Sequence, residues 1–396
     1  MNNFNFYSPT EFVFGRGTEE QVGALVAKYG GTKALILYGG GSVIRSGLFD
    51  RTVRSLDAAG IAHLALGGVK PNPVDSLVYE GIDLCRREGV DFILGIGGGS
   101  AIDTAKAVAA GVPYDGDFWD FYSYKTKPAR VLKHGCIITL PATGTEGSDS
   151  SVIMRESDML KRGMSTDLNR PLFSIMNPEL TFTLPPYQTA SGIADMMSHI
   201  LERYFTNTLH VEVTDRIAEA LLTTIVRNAP VVLREPENYD ARAEIMWAGM
   251  LAHNNICGVG REHDFSVHQL EHELSAMYDV AHGAGLAALT PAWIGYQIPH
   301  NPMRFAQLAV RVFGCPMDFE FPETTARDGQ RRLAAFFRSI GMPVNLQELD
   351  GRIRREDIPA LTAKVKRKPD GTVGFFRPLR TEDITAVYEQ SFDWNG

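Results

Sequence analysis

The chain has 396 residues, more than one ordinary hydrophobic core holds, so two domains are expected. Its hydrophobic content of 44% and charged content of 22% are ordinary for a soluble globular protein, and a net charge of −8 argues against a nucleic-acid or anionic-membrane partner. No apolar run reaches the ~20 residues that cross a bilayer. No signal peptide is recognised, and the four cysteines form no CxxC pair. A cytoplasmic, reducing location is therefore expected.

The first half of the chain predicts strands that alternate with helices. Two aromatic-rich runs within residues 1–16, FNFY and EFVFG, predict short strands. The alternation continues through the helix EEQVGALVAKYG, the strand KALILYGGGS, the helix LFDRTVRSLDAAG, the strand IAHLALGG, the helix DSLVYEGIDLCRREG, the strand VDFILGIGGGS, the helix SAIDTAKAVAAG and two strands within CIITLPATGTEGSDSSVIM. This order predicts a parallel sheet with helices on both faces.

From Pro185 onward helical periodicity replaces the strand signals. The predicted helical segments are 186–206, 211–233, 241–256, 264–278, 284–297, 302–313, 326–340 and 381–390. We therefore expect an α/β domain over residues 1–184 and an all-helical domain over residues 185–396. The basic stretch KVKRKPDG is interpreted as a solvated loop.

Two glycine turns are candidate nucleotide sites. Gly97-Gly98-Gly99-Ser100 follows the apolar strand FILGI and opens a helix. Free backbone N–H groups and the positive end of the helix dipole then converge on one point, which suits a pyrophosphate. Asp103, on the next turn, is placed to reach a ribose or a nicotinamide amide. The sequence is not GxGxxG, so the Rossmann fingerprint is not met and a plain packing turn is the alternative.

The second turn, Gly39-Gly40-Gly41-Ser42, follows the strand KALILY. A dinucleotide fold that prefers NAD usually has a carboxylate after an early strand, where it holds the ribose 2′-OH. No Asp or Glu stands in this turn, and Arg45 is nearby. The turn therefore favours NADP, although three glycines also make a loop permissive whatever it binds.

A candidate metal site lies between Asp195 and His282. Asp195 and His199 are four residues apart, as are His268 and His272, and each pair therefore shares one face of a predicted helix. A buried charge is costly unless it is paired or coordinates a metal, and one carboxylate with three imidazoles suits Fe²⁺ or Zn²⁺. His282 precedes two glycines that allow close backbone approach. Hydrogen-bonded core histidines are the alternative, and His253 is interpreted in that way.

The chain resembles the iron-dependent (group III) alcohol dehydrogenases over essentially its whole length, in particular their NADPH-dependent butanol dehydrogenase and aldehyde reductase branch. The motifs that carry the resemblance are GGGSAIDTAK, TLPATGTEGSDSS, NPELTFTLPP, GIADMMSHILERY and HQLEHELSAMYDVAHG. The resemblance implies a dinucleotide-binding α/β domain, a helical domain, and an active site in the cleft between them.

The resemblance also assigns roles to individual residues. It places the metal ligands at Asp195, His199, His268 and His282, and a proton-relaying histidine at His272. It places cofactor contacts at Asn72, Gly98, Gly99, Ser100, Asp103, Thr143 and Leu180, and these join the candidate contacts Gly39, Gly40, Gly41 and Ser42 of the turn after KALILY. NAD-preferring members carry Asp where this chain has Gly40, which supports NADP. The chain departs from the common pattern at PATGTEGSD and at Asn177, where an Asp usually precedes the proline.

The expected function is metal-dependent hydride transfer between NADP(H), preferred over NAD(H), and a primary alcohol or aldehyde such as butanol or butanal. The expected partners are this small molecule and further copies of the chain, in a homodimer or a larger homo-oligomer. A sugar-phosphate cyclase or polyol dehydrogenase on the same scaffold is the first alternative. The mostly apolar residues near Asp195 and His268 suit it less well. A protein that binds metal and nucleotide without turnover is the second.

Overall fold

Six parallel strands form the centre of the α/β unit, which comprises Tyr7–Leu184. The computed structural model describes all residues from 1 to 396. The unit has eight strands, of which β6 and β7 lie outside this sheet: β1 (Glu11–Phe14), β2 (Lys33–Tyr38), β3 (Ala62–Leu66), β4 (Phe92–Gly97), β5 (Lys133–Ile138), β6 (Ser150–Arg155), β7 (Leu160–Ser165) and β8 (Phe173–Met176). The sheet has the order β1-β8-β5-β4-β2-β3, and every neighbouring pair in it is parallel.

Helices cover both faces of this sheet. They are α1 (Val22–Lys28), α2 (Ser42–Arg45), α3 (Leu48–Ala58), α4 (Asp75–Glu88), α5 (Gly99–Gly111) and α6 (Trp119–Tyr122). Successive side chains of a strand point to opposite faces. Accordingly, Leu35 and Leu37 of β2 lie in one core with α4 and α5, whereas Ile36 lies in a second core with α1 and α3. The predicted parallel sheet with two covered faces is confirmed.

Two predictions for the α/β unit differ from the structure. The run FNFY forms no strand, because its backbone has no neighbouring strand to pair with, and Phe4 and Phe6 are exposed. In addition, β6 and β7 form a separate antiparallel hairpin, of which only β6 was predicted. Strand β7 was not predicted because its sequence, LKRGMS, is polar. Its Lys161 is nevertheless buried, and it donates a hydrogen bond to Asn72.

The second unit consists of Met1–Phe6 and Pro185–Gly396 and is helical. Its helices are α7 (Pro186–Tyr204), α8 (Glu212–Arg234), α9 (Tyr239–His253), α10 (Ser266–Tyr278), α11 (His282–Gln297), α12 (Pro302–Phe313), α13 (Pro322–Ser339), α14 (Leu346–Leu349), α15 (Ile358–Lys364) and α16 (Thr381–Phe392). None of these helices has the length and apolar character needed to cross a membrane. The helices α14 and α15 were not predicted.

The first six residues pack with the helical unit although they precede the α/β unit in sequence. The amino group of Met1 donates to the carbonyl of Leu209, and the backbone N–H of Asn2 donates to that of Gly260. The division into separate domains at residues 184–186 stays a prediction. All four cysteines are buried free thiols, with Cys85 and Cys136 in the α/β unit and Cys257 and Cys315 in the helical unit.

Candidate functional site

Three helices of the helical unit bring one carboxylate and four histidines together. Helix α7 carries Asp195 and His199, α10 carries His268 and His272, and α11 begins at His282. Helix α11 packs against both of the others.

The close approach of α11 to α7 depends on Gly283. A Cβ atom built on Gly283 would overlap the backbone carbonyl of Ser191 in α7. The missing side chain therefore allows the start of α11, where His282 lies, to come close to Asp195.

The imidazole nitrogens of three histidines surround one oxygen of Asp195. Asp195 Oδ1 lies 3.3 Å from His199 Nδ1 and 3.9 Å from both His268 Nε2 and His282 Nε2. In a tetrahedral site with bonds of about 2.0–2.1 Å, donor atoms lie about 3.3 Å apart. The donor atoms of Asp195, His268 and His282 are therefore close enough together to approach one divalent cation. The donor atoms of these three residues all lie within 4.8 Å of one another. His199, the fourth candidate ligand, is not in that group, although its Nδ1 atom lies 3.3 Å from Asp195 Oδ1.

The hydrogen bonds around the cluster leave nitrogen lone pairs directed at the same point. His268 donates from Nδ1 to Glu202, and His282 donates from Nδ1 to Glu271. With Nδ1 protonated, a neutral imidazole keeps its lone pair on Nε2, which in both rings faces Asp195. The Nε2 atom of His268 is buried without a hydrogen-bond partner, as is Nδ1 of His199. Such atoms are rare in native structures, and a metal bound at this point would give them a partner.

His199 is held in the neutral form that metal binding requires. Burial lowers the pKa of His199 well below its ordinary value, and the nearby His253, His268 and Arg203 lower it further. A metal ligand must be deprotonated at the donor nitrogen. The donor set, its burial and its protonation therefore all fit a divalent metal.

Glu202 and Glu271 were missed by the sequence reasoning, although a signal for them exists. Each glutamate lies three residues after a candidate ligand, Glu202 after His199 and Glu271 after His268, on helices with apolar faces. Residues three apart lie near each other on a helix, so this offset places each glutamate beside a candidate ligand of its own helix. The histidine that each one contacts belongs to a different helix, His268 for Glu202 and His282 for Glu271.

Two further histidines lie beside the cluster. His272 is buried, and its ring centroid lies 5.7 Å from that of His282. The ring of His253 lies 4.0 Å from that of His199, and its Nδ1 lies 3.3 Å from a guanidinium nitrogen of Arg203. His253 therefore packs directly on a candidate ligand. The proton-relay role of His272 stays a prediction.

In the α/β unit, the two glycine turns lie at the same edge of the sheet. Strands β2 and β4 are parallel neighbours, so their carboxyl ends, followed by Gly39–Ser42 and Gly98–Ser100, lie side by side. The chain leaves β2 towards β3 at one edge of the sheet, and it leaves β4 towards β5 on the other side. Such a reversal of strand order is the usual nucleotide-binding position in open α/β sheets.

Thr143 and Asp103 lie close to the Gly98–Ser100 turn. A Cβ atom on Gly99 would lie 2.6 Å from Thr143 Oγ1, so only glycine allows this approach. Asp103 accepts hydrogen bonds from Thr145 Oγ1 at 2.6 Å and from the Val152 backbone at 2.9 Å. Asp103 thus braces the following loop, a role that the sequence did not suggest. Its contact with a ribose stays a prediction.

The two remaining predicted cofactor residues, Asn72 and Leu180, lie in different segments of the α/β unit. Asn72 adopts a positive φ of 52° and accepts a hydrogen bond from Lys161 at 3.0 Å. Leu180 is half-buried in a short 3₁₀ helix over Pro178–Thr181. Asn177 caps that helix and also donates to Glu19, so the departure from the family pattern at this position has a structural use.

The loop after β5 contains a buried carboxyl group, Glu146, with neither oxygen hydrogen-bonded. Burial raises the pKa of Glu146 to about 7 from 4.5, although the nearby Lys106 ammonium opposes the shift. The pKa of Glu146 is higher in the folded state than in the unfolded state. The free energy of unfolding therefore falls as the pH rises from 4.5 to about 7, by roughly 3 kcal/mol in total. We expect Glu146→Gln to unfold several degrees above the unmodified protein near pH ~8, and to lose that advantage near pH ~4.

Differential scanning calorimetry at both pH values measures this difference. Glu244→Gln, a change at an exposed glutamate of α9, is the matched control and should leave the unfolding midpoint unchanged at either pH. An advantage of Glu146→Gln that is equal at both pH values would contradict the assignment of the effect to ionisation.

Glycine turns at the carboxyl edge of a parallel sheet suit a dinucleotide, and the buried cluster of the helical unit suits a divalent metal, so the two together are compatible with a metal-dependent nicotinamide oxidoreductase. Residues 9–178 match the family model described as iron-containing alcohol dehydrogenase. Residues 189–392 match the model for the C-terminal part of the Fe-containing alcohol dehydrogenase family. The chain belongs to the iron-containing alcohol dehydrogenase family and is an oxidoreductase that depends on a metal and a nicotinamide cofactor.

Relatives of similar length extend over almost the whole chain. The probable NADH-dependent butanol dehydrogenase 1 of Bacillus subtilis is 40% identical, with 99% of this chain and 100% of that protein covered. The NADPH-dependent aldehyde reductase YqhD of Escherichia coli is 34% identical, with 98% and 99% covered. The crystal structure of NADH-dependent butanol dehydrogenase A from Thermotoga maritima has a TM-score of 0.95 at 38% identity, with 99% of each chain covered.

Proposed function

We propose that this protein interconverts aldehydes and primary alcohols such as butanal and butanol, with Fe²⁺ or Zn²⁺ bound by Asp195, His199, His268 and His282. The observation that carries the proposal is the convergence of three imidazole nitrogens on Asp195 Oδ1 at 3.3–3.9 Å. Relatives named as butanol dehydrogenases and as an aldehyde reductase support this substrate class over a sugar-phosphate cyclase.

The chemistry divides between bound groups and the chain's own residues. A divalent metal at the cluster supplies Lewis-acid polarisation of the substrate oxygen, and the nicotinamide supplies or accepts hydride. Asp195 contributes the one negative charge among the four proposed ligands. His272, close to His282, is proposed to pass the hydroxyl proton of the alcohol to or from solvent, since an imidazole titrates near neutral pH.

The first experiment follows oxidation of NADPH with butanal by absorbance. The protein is stripped of metal with a chelator, assayed, and assayed again after addition of Fe²⁺ or Zn²⁺. We expect turnover that depends on added metal. Stripped protein as active as reloaded protein would contradict the metal-dependent proposal. Bound metal and nucleotide without turnover of any aldehyde would favour the cyclase alternative.

The proposed cofactor preference is NADP(H) over NAD(H). It is supported by the turn after β2, which lacks a carboxylate, and by Arg45, whose guanidinium lies where a Cβ atom on Gly41 would be. That arrangement places a cation beside the turn, where a 2′-phosphate would bind. Relatives named for NADH and for NADPH both occur, so the preference is decided by measurement.

Replacing Gly40 with Asp is expected to reverse this preference. A Cβ atom on Gly40 has no neighbour within 4 Å, so the new side chain fits without strain. Its charge would repel a 2′-phosphate and accept a hydrogen bond from a 2′-OH. We expect the ratio of kcat/KM for NADPH to that for NADH to fall at least about tenfold, a change of roughly 1.4 kcal/mol.

Arg45→Ala is the companion variant. It should lower kcat/KM with NADPH and leave kcat/KM with NADH unchanged. An unmodified protein that prefers NADH would contradict the proposed preference. A ratio of kcat/KM for NADPH to that for NADH that is unchanged in both variants would contradict the role of this turn.

The proposal includes two further features, a cellular location and an oligomeric state. A cytoplasmic location is supported by four buried, unpaired thiols. Assembly into a homodimer or a larger homo-oligomer is the second, and analytical ultracentrifugation measures it.

A further inference from the structure

Two buried glutamates accept hydrogen bonds from two of the proposed metal ligands. Glu202 of α7 accepts a hydrogen bond from Nδ1 of His268, and Glu271 of α10 accepts one from Nδ1 of His282. Both carboxylate side chains are almost inaccessible to solvent, at 2% and 0% exposure. A buried carboxylate is costly unless it is paired, so these contacts are built into the fold.

Each glutamate is fixed by a second donor, which leaves it little freedom to move. The backbone N–H of Val267, in the first turn of α10, donates to Glu202 at 2.6 Å. The hydroxyl of Ser275, one turn further along α10, donates to Glu271. The two carboxylates are therefore held independently of the histidines that they contact.

Glu271 also occupies space that a glycine leaves open. A Cβ atom on Gly285 of α11 would lie 2.8 Å from both Cγ and Oε1 of Glu271. Glycine inside a helix costs roughly 0.5–1 kcal/mol relative to alanine. At this position the missing side chain leaves room for the carboxylate of Glu271.

We propose that Glu202 and Glu271 are positioning residues that hold His268 and His282 with Nε2 unprotonated and directed at the metal. Hydrogen-bonded partners of this kind set the tautomer of a ligating histidine and make its free nitrogen a stronger donor. The two glutamates also add two negative charges to that of Asp195, which favours a divalent cation in a buried site. This inference rests on the proposed metal site.

The test measures how tightly the full-length protein holds Zn²⁺ against a competing chelator. Loss of one such partner typically weakens metal binding by about 10–100-fold. We expect losses of that size for Glu202→Ala and Glu271→Ala. A smaller loss is expected for each Gln variant, which lacks the charge and keeps one accepting oxygen while its NH2 group faces the other donor. Gly285→Ala should imitate Glu271→Ala by displacing the carboxylate. Glu244→Gln, at an exposed site of α9, should bind as the unmodified protein does.

A spectroscopic measurement separates positioning from general support of the fold. The visible absorption band of the Co²⁺-loaded protein reports on the ligands, and we expect it to shift in both Gln variants, which keep the size of the glutamate. If an Ala variant does not fold, its Gln counterpart provides the result. Unmodified protein that binds no metal would contradict the proposed site itself. Metal binding by the unmodified protein, with Gln variants identical to it in affinity and spectrum, would overturn only the role of the glutamates.

Discussion

His268→Ala is expected to lose bound metal and to lower kcat/KM for aldehyde reduction by roughly a thousandfold or more. The side chain is buried, and its Nε2 atom faces Asp195 without a hydrogen-bond partner, so alanine removes a donor that no neighbour replaces. Lewis-acid activation contributes several kcal/mol to such reactions, and each 1.36 kcal/mol corresponds to a factor of ten. Metal content by atomic emission and initial rates with butanal measure the two effects.

The matched control is His300→Ala, in the same unit at an exposed position beside Phe376. It should keep both metal and turnover. If His268→Ala kept the unmodified protein's metal content and rate, the proposed ligand set would be wrong.

Gly283→Ala is expected to destabilise the helical unit and to empty the metal site, although the substitution lies outside the ligand set. The added methyl group would overlap a backbone carbonyl of α7, which cannot move aside as a flexible side chain can. Overpacking of this kind typically costs about 1–3 kcal/mol. Relief of the overlap would shift the start of α11 away from α7 and draw His282 from Asp195. Thermal unfolding and metal content are the measurements.

Gly295→Ala on the same helix provides the comparison. Its new Cβ atom would meet only the amide end of the Gln330 side chain, at 2.6 Å, so the substitution disturbs the hydrogen bond from Gln330 to the Pro291 carbonyl but meets no backbone atom of α7. We expect Gly295→Ala to retain metal. Equal stability and metal content for both variants would show that the close contact of α11 with α7 does not position His282.

Most of the fold could be predicted because its signals are local. Apolar runs such as KALILY and FILGI predicted buried strands of the sheet, and helical periodicity predicted the long helices from α7 onward. The strand β7 was missed because its apolar pattern is interrupted by Lys161. That side chain is buried through a hydrogen bond to Asn72, 89 residues away, which no local pattern reveals. The run FNFY failed for the opposite reason, since strand propensity without a pairing partner does not make a strand.

The part of the candidate site that could be predicted is the part in which the spacing of residues along a helix determines which face their side chains share. The four-residue spacing of Asp195 and His199 predicted one shared face, and the structure brings both to the cluster with His268 and His282. Metal binding by these residues is still a prediction. Glu202 and Glu271 were not found, because an isolated acid on a helix is usually solvated and only the packing of α7, α10 and α11 buries these two.

The cysteines offer a way to follow how the molecule opens. Burial raises the pKa of each thiol, to about 12 for Cys85 and Cys136 and to about 11 for Cys257 and Cys315. A protonated, covered thiol reacts slowly with alkylating reagents. Each unit contains two of the four cysteines. Alkylation during a slow temperature ramp, followed by mass spectrometry of the labelled peptides, would therefore give the temperature at which the thiols of each unit become exposed. The order in which the labels accumulate would show whether the α/β unit or the helical unit unfolds first.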